Sequence, residues 1–527
     1  MMRSHVPALW NQALIGVSLF VVGIWLAREI GYKIVIGDMR QIIFTALAFA
    51  ACAVAVAILR NWRTGFYLFL VWMIFEDLVR KYMGNDTALF FGKDILLGFV
   101  YFALYIEIRR GREKSFRPPF LLFLSLFFWL GVLQTFNQNS PSIWYGLLGL
   151  KVYFYYTPLV FVGYALVRSD EDLRKFLVAN AALAGIVGAI GVTQAIVGNT
   201  FMNPVHLSPE LEELGNLYKT APISGQVFSL PDSVFVSSGR YSEYLTLSFI
   251  MAMGTAGYLL LYTKRSRSLV FLVIGLAGVA AFLSGNRGCF MYVLATGLML
   301  PIAFFWGAPW RAGQVRRILK AVRRATIVAA LGLLVMFSLF PLEAASRLAF
   351  YAETLLPGST EYQVANRAWD YPVQNFLTVF TQPNWGMGNG IGTASLGTQY
   401  VARLSGRPAP SIGVEEGYGT LMVEMGVIGP LLWILWTAAL LYYSWRTVRS
   451  LRETRLFPIA FAIFWYALLL LFPWTYASVA PYQNYTCNAF LWLLVGVLFR
   501  LPELLRISGS PMAVPVIQRL NSLGLQF

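Results

Sequence analysis

The stretch Val414–Trp433, VEEGYGTLMVEMGVIGPLLW, leads from a pair of carboxylates, Glu415 and Glu416, into a glycine-spaced apolar helix. Just upstream, Asn366–Ser395 reads NRAWDYPVQNFLTVFTQPNWGMGNGIGTAS. That segment is too polar to lie in lipid, is rich in aromatic residues and is dense in glycine from Gly386 to Gly392. Such an order, polar loop and then apolar helix, delivers a binding loop to a membrane surface.

The composition extends this reading to the whole chain. With 58% hydrophobic, 16% aromatic and only 13% charged residues, a soluble protein of 527 residues would have nowhere to put its apolar surface, so bilayer must be part of the solvent. An all-α polytopic membrane protein is expected. The first apolar run, Ala13–Leu26, is followed by Arg28 and Glu29 rather than a small-residue cleavage site, and reads as the first span. Cys52, Cys289 and Cys487 are scattered, without CxxC or Cys/His spacing, so neither a disulfide framework nor a zinc site is indicated. His5 and His206 cannot build a metal cluster, and no HExxH or DxD-type site is visible, so no metal and no cofactor is expected. A net charge of +16 raises nucleic acid as a partner, but in a membrane protein excess Lys and Arg mark the cytoplasmic side.

Apolar segments of spanning length, about 17 to 25 residues, fall near 9–27, 41–59, 64–79, 91–107, 119–137, 149–167, 176–197, 241–262, 268–285, 289–307, 325–342, 426–444, 457–474 and 485–500. With the N-terminus in the cytoplasm, every strongly basic loop falls on one side: Arg60 and Arg63, Arg109 to Arg117, Arg168 to Lys175, Lys264 to Arg267, Arg311 to Arg324, and Arg446 to Arg455. The chain then divides into helices 1–7 over residues 1–197, a first outer loop at 198–240, helices 8–11 over 241–342, a large outer loop at 343–425, helices 12–14 over 426–500 and a cytoplasmic tail at 501–527. In the large loop Trp369, Tyr371, Phe376, Phe380 and Trp385 can anchor a folded cap rather than a flexible linker.

Several charges stand out on the outer face. Arg287 lies in Ser284-Gly285-Asn286-Arg287-Gly288, a tight turn between apolar helices, on the wrong side to be a topology signal. A guanidinium binds phosphate oxygens bidentately, though a turn arginine can also snorkel to ordinary phospholipid. Arg240 closes the first outer loop and is a second outer cation, unless it pairs with Glu243 along its own helix. Lys151 precedes the aromatic stripe Tyr153-Phe154-Tyr155-Tyr156, which suits phosphate and sugar but equally an interfacial belt. Glu76, Asp77, Lys93 and Asp94 form an intramembrane charge cluster, functional or structurally paired. The Gly386–Gly392 run lacks the strand and acidic partner of a dinucleotide fingerprint and reads as a close backbone approach to substrate. A Glu-Glu pair before a helix is, in the plainest case, a solvated pair stabilised by the helix dipole.

Glu424, Gly426 and Gly429 follow Glu415 at nine, eleven and fourteen residues. This spacing resembles the C-terminal signature of the O-antigen polymerase and O-antigen ligase superfamily, in which a His-Asn pair and a Tyr/Phe-Leu precede a Glu and two Gly at these offsets. Glu415 and Glu416 stand at the His and Asn positions, Tyr418 fits, and Gly419 replaces the usual leucine. Arg367, Trp369 and the glycine run resemble the family's Arg…Trp…Gly-x-Gly region, with Arg347 as a competitor for the arginine, and the Arg287 turn resembles its Ser-x-Ser-Arg-Gly motif with Asn286 at the second serine. The likeness is most specific over about 270–440.

The resemblance implies about 14 transmembrane helices in a GT-C-like arrangement, with a partly helical periplasmic cap between helices 11 and 12. It implies a metal-independent glycosyltransferase of a bacterial inner membrane, both termini cytoplasmic and the active site periplasmic, acting on an undecaprenyl-pyrophosphate-linked glycan. Glu415 would be the base, with Glu416 as the alternative; Arg287, Arg240 and Arg367 would hold pyrophosphate, Lys151 would assist, and Tyr418 and Trp369 would contact substrate. Chain-length regulator or export proteins would be further partners, and nucleic acid would not. The departure at the histidine inclines the reading to a polymerase of lipid-linked repeat units rather than a ligase to a terminal acceptor. A transporter or flippase of lipid-linked sugars is the rival class, but it should show repeated halves and a midplane site, whereas this chain concentrates charges and long loops on one face. A non-enzymatic assembly factor would leave the outer cations without a role.

Overall fold

A computed structural model describes residues 54–83, 87–204, 217–310, scattered positions between 323 and 336, and then 337–359, 362–364, 366–408 and 413–507. The span expected at 9–27, most of that at 41–59 and part of that at 325–342 lie outside the described residues, as does the tail from residue 508. What is described is predominantly helical. Among the described residues six helices are long and apolar enough to cross a bilayer: Ile143–Leu166, Asp170–Val197, Ser238–Tyr262, Arg287–Gly307, Ile428–Ser450 and Phe457–Ala477. Leu121–Thr135 and Arg267–Leu283 are shorter apolar helices. Trp62–Met83, Thr87–Arg109 and Tyr485–Ile507 are long helices that carry more charge. The chain is therefore a helical membrane protein.

Several ends differ from expectation: the segments read as 176–197, 426–444 and 485–500 are helical over Asp170–Val197, Ile428–Ser450 and Tyr485–Ile507. The segment read as 149–167 already begins at Ile143, where the Ser142 hydroxyl accepts the Trp144 amide and caps the helix. The same segment is interrupted before Leu159, because Pro158 offers no amide proton to the turn behind it.

The chain divides into two compact units. Met1–Phe69 with Asp94–Ile106 forms one, and Phe66, Phe69, Leu97 and Val100 are buried in its described part. Leu70–Lys93 with Glu107–Phe527 forms the other, which holds the candidate site. In this second unit Tyr485–Ile507 is apolar and buried on nearly every side, as a central helix must be. It meets Leu159–Leu166 in backbone contact: a Cβ on Gly163 would lie 2.0 Å from the Leu493 carbonyl oxygen, and one on Gly496 would lie 2.1 Å from that of Val160. Beside it Trp433 stands edge-on to Tyr482 at 4.8 Å and Trp436 stacks on Trp492 at 5.7 Å. Outward faces are apolar instead of polar: Leu122, Leu133, Leu272, Leu298 and Ile302 are all exposed, which is the surface a lipid solvent requires.

Within this unit the described basic loops near 113, 168–170 and 452–455 lie together. Arg168 pairs with Glu113 at 2.6 Å, Arg455 with Asp170 at 2.6 Å, and Arg452 stacks over Trp306 at 4.6 Å. At the other end the two long loops fold onto the helix termini. Tyr218–Thr220 and Val227–Ser229 form an antiparallel hairpin that sets Lys219 opposite Phe228. Phe228 and Leu230 share a core with Phe282, Leu283, Ala344, Phe350 and Tyr351, so both loops are built into one apolar cluster. The hairpin turn is fastened again where Glu353 accepts the Ile223 and Ser224 amides at 2.7 and 3.0 Å.

The glycine run does make a close approach, but to the chain itself. Gly388, Gly390 and Gly392 have positive φ, and a Cβ on Gly392 would lie 2.0 Å from the Tyr145 carbonyl oxygen. Asn389 and Gly390 donate their amides to the Val423 and Glu424 carbonyls at 2.8 and 3.0 Å. The buried Glu424 carboxyl then accepts the Ala394 amide at 2.9 Å and the Ser395 hydroxyl at 2.7 Å. These bonds bind the large loop to the Gly417–Met425 helix.

Candidate functional site

Arg287 owes its position to the turn before it. Gly285 takes φ +64°, and any side chain there would strike Phe228 and Leu230. The Asn286 side chain then caps the next helix by accepting the Cys289 amide at 3.0 Å, which leaves Arg287 in its first turn. Its guanidinium donates to Gln363 at 2.5 Å and lies 5.5 Å over the Phe350 ring.

Two further cations converge here. The Lys219 ammonium lies over the same Phe350 ring at 4.5 Å and donates to the Gly285 carbonyl at 3.5 Å. Arg367, in the π-helical turn Asn366–Asp370, is close enough for its charge to act on both Lys219 and Arg287. Burial, and then the charges of Arg287 and Arg367, hold the Lys219 ammonium down to about 8. Among the described residues none of these cations has a carboxylate oxygen within 4.0 Å. Behind Arg287 an apolar cavity of about 880 Å³ runs between Ser238–Tyr262, Arg267–Leu283 and Arg287–Gly307, with Phe282, Phe290, Leu294 and Leu298 in its wall.

The carboxylates divide their roles. Arg367 lies 4.6 Å over the Tyr371 ring, whose hydroxyl donates to Glu415 at 2.7 Å, and Asn375 accepts the Glu415 amide at 2.7 Å. Glu415 is exposed. Glu416 is buried and caps Gly417–Met425, its carboxylate accepting the Tyr418 and Gly419 amides. Desolvation raises its pKa to about 7, against the pull of those two amides. The sequence pattern thus brings Arg287, Arg367 and Glu415 into one connected set. Trp369 is exposed on the Arg367 turn, and Tyr418 is half-buried beside Glu416.

Other candidates lie apart from this set. Arg240 pairs across helices with the fully buried Asp77 at 2.9 Å, not along its own helix with Glu243, which Asn484 engages instead. Arg80 holds the other Asp77 oxygen at 2.8 Å, Lys93 pairs with Glu76 at 2.9 Å, and Lys81 pairs with Asp232 at 2.9 Å. This is a matched ionic network. The Lys151 ammonium lies over the Phe91 ring at 4.3 Å. Arg347, the competitor of Arg367, is fully buried and donates to the Leu283 and Ser229 carbonyls, both at 2.8 Å, so it serves as a scaffold.

Lys219 is the member that sequence reasoning missed. One signal points to it: like Arg287, it is a cation on the face that topology keeps free of basic loops. Cations that lack a carboxylate partner among the described residues can hold a phosphate-bearing ligand, and an exposed carboxylate beside them can take a proton from a hydroxyl near it. Comparison of the chain with protein-family models, with curated proteins and with solved structures finds no match. What fold and site define is a class: a helical membrane protein in which Lys219, Arg287 and Arg367 lie close together at the long-loop ends of the helices.

Proposed function

We propose that this chain is a membrane-embedded glycosyltransferase that polymerises lipid-linked oligosaccharide repeat units, of the O-antigen polymerase and ligase superfamily. It has about 14 spans in a GT-C-like arrangement, both termini in the cytoplasm of a bacterium, and works at the periplasmic face of the inner membrane on an undecaprenyl-pyrophosphate-linked glycan. Glu415 takes the proton from the acceptor hydroxyl as that oxygen attacks the anomeric carbon. The bond from that carbon to the diphosphate breaks with inversion, and Arg287 and Arg367 stabilise the departing diphosphate. Arg240, matched by Asp77, supports the helix from which the outer face is built.

The observation that carries this reading is the chain of contacts from cations to base. Residues as distant as 287, 367 and 415 meet through Gln363, Tyr371 and the mutual field of the two arginines. The apolar cavity behind Arg287 adds room for a polyprenyl tail. The test is to express Glu415→Gln and Glu416→Gln in cells that depend on this chain and to resolve polysaccharide length on a gel. Glu415→Gln is expected to leave single repeat units, and Glu416→Gln to keep polymer. The reverse pattern moves the base by one residue, and normal polymer in the double variant removes carboxylate catalysis. Full-length polymer that stays on its lipid carrier would identify a ligase.

A further inference from the structure

The 218–229 hairpin places a lysine where the motifs assign nothing. We infer that Lys219 completes, with Arg287 and Arg367, a three-cation site built for a diphosphate group and selective against monophosphate. The inference deepens the proposed reaction and rests on it for the identity of the natural ligand.

Lys219 and Arg287 share one aromatic floor, Phe350, at 4.5 and 5.5 Å. Cation–π attraction to the ring offsets only part of the repulsion that the like charges exert on one another. Such a cluster is therefore most stable with an anion in it. The Lys219 ammonium spends one donor on the Gly285 carbonyl, at the long limit of 3.5 Å, and has two more. Two guanidinium forks and an ammonium call for more acceptor oxygens than one phosphoryl group presents to one side, and a second phosphoryl group supplies them. The hairpin is not a loose arm. Phe228, opposite Lys219, is buried in the shared core, and Glu353 holds the turn.

Among the described residues, the charges that act on Lys219 are Arg287 from the helix below and Arg367 from the π-helical turn. Pro341–Leu355 carries Arg347, which pairs with Glu343, Tyr351, and Glu353, which the hairpin amides engage. Burial and the charges of Arg287 and Arg367 hold the Lys219 ammonium down to about 8, so affinity for a diphosphate falls as pH rises through that value.

The experiment uses the purified full chain in nanodiscs of zwitterionic lipid, titrated calorimetrically with inorganic pyrophosphate and with orthophosphate. Pyrophosphate should bind at least about tenfold more tightly than orthophosphate, and Lys219→Gln should weaken pyrophosphate about tenfold, the usual scale for one lost charged contact. Lys219→Arg should keep the affinity and abolish its decline above about pH 8. If Lys219→Gln does not fold, the flattened pH profile of Lys219→Arg carries the test. Equal affinity for the two anions, or a pyrophosphate affinity indifferent to Lys219, overturns the inference. Because binding is read without turnover, the two readings fail separately. Normal polymer from the Glu415→Gln, Glu416→Gln double variant with Lys219-dependent binding sinks the carboxylate-catalysed transfer alone, and the opposite pair of results sinks the diphosphate site alone.

Discussion

At the scale of single residues, Asp77 decides how the buried charges are read. Its carboxylate is fully buried and binds Arg80 through one oxygen and Arg240 through the other. Asp77→Asn leaves two guanidiniums without their counter-charge and should destabilise the protein by roughly 3–5 kcal/mol, seen as a lower unfolding midpoint in detergent. Arg240→Gln should cost less, because Arg80 still neutralises Asp77. In sequence Arg240 and Arg287 look alike, both at points where outer chain re-enters the bundle. They part only because the partner of Arg240 lies 163 positions away, a distance no local pattern can register. Glu415 and Glu416 are a second case. The helix starts at Gly417, so the nearer carboxylate is drawn onto the free amides of its first turn and the farther one is left at the surface.

At the scale of elements, the apolar runs were legible because lipid demands them. Six of the expected apolar runs fall on described helices long and apolar enough to cross a bilayer, with several ends displaced, as at the Ser142 cap. Loop architecture was less legible. The glycine run announced a close approach, but only the fold reveals that Tyr145 and Gly149 are what it approaches. Gly392→Ala meets both a positive φ of +86° and a carbonyl oxygen at 2.0 Å, and should destabilise the protein by more than about 2 kcal/mol. Gly386→Ala, in open space within the same run, should be nearly neutral. Thermal unfolding of the pair checks this. The 218–229 hairpin carried no usable strand signal, since its strands are three residues each and owe their pairing to the apolar cluster beneath.

At the scale of the larger unit, the segregation of basic loops from long loops follows from charge counting, and the observed contacts keep it. Thr381 lies beyond the short Tyr371–Val379 helix in the large loop, and Ser450 closes Ile428–Ser450 among the basic residues. Cysteines at these exposed positions should react with a membrane-impermeant maleimide from opposite sides of the bilayer. Labelling of both from the same side would break the topology. Cys289 and Cys487 are buried and should stay silent in that assay. The clasp between Glu353 and the Ile223 and Ser224 amides has its own consequence. It welds two stretches far apart in the gene product into a single graftable module. Exchanging either stretch alone would sever the weld and carry off Lys219 or its floor, whereas moving both together would carry the lysine and the Phe350 ring beneath it as one piece.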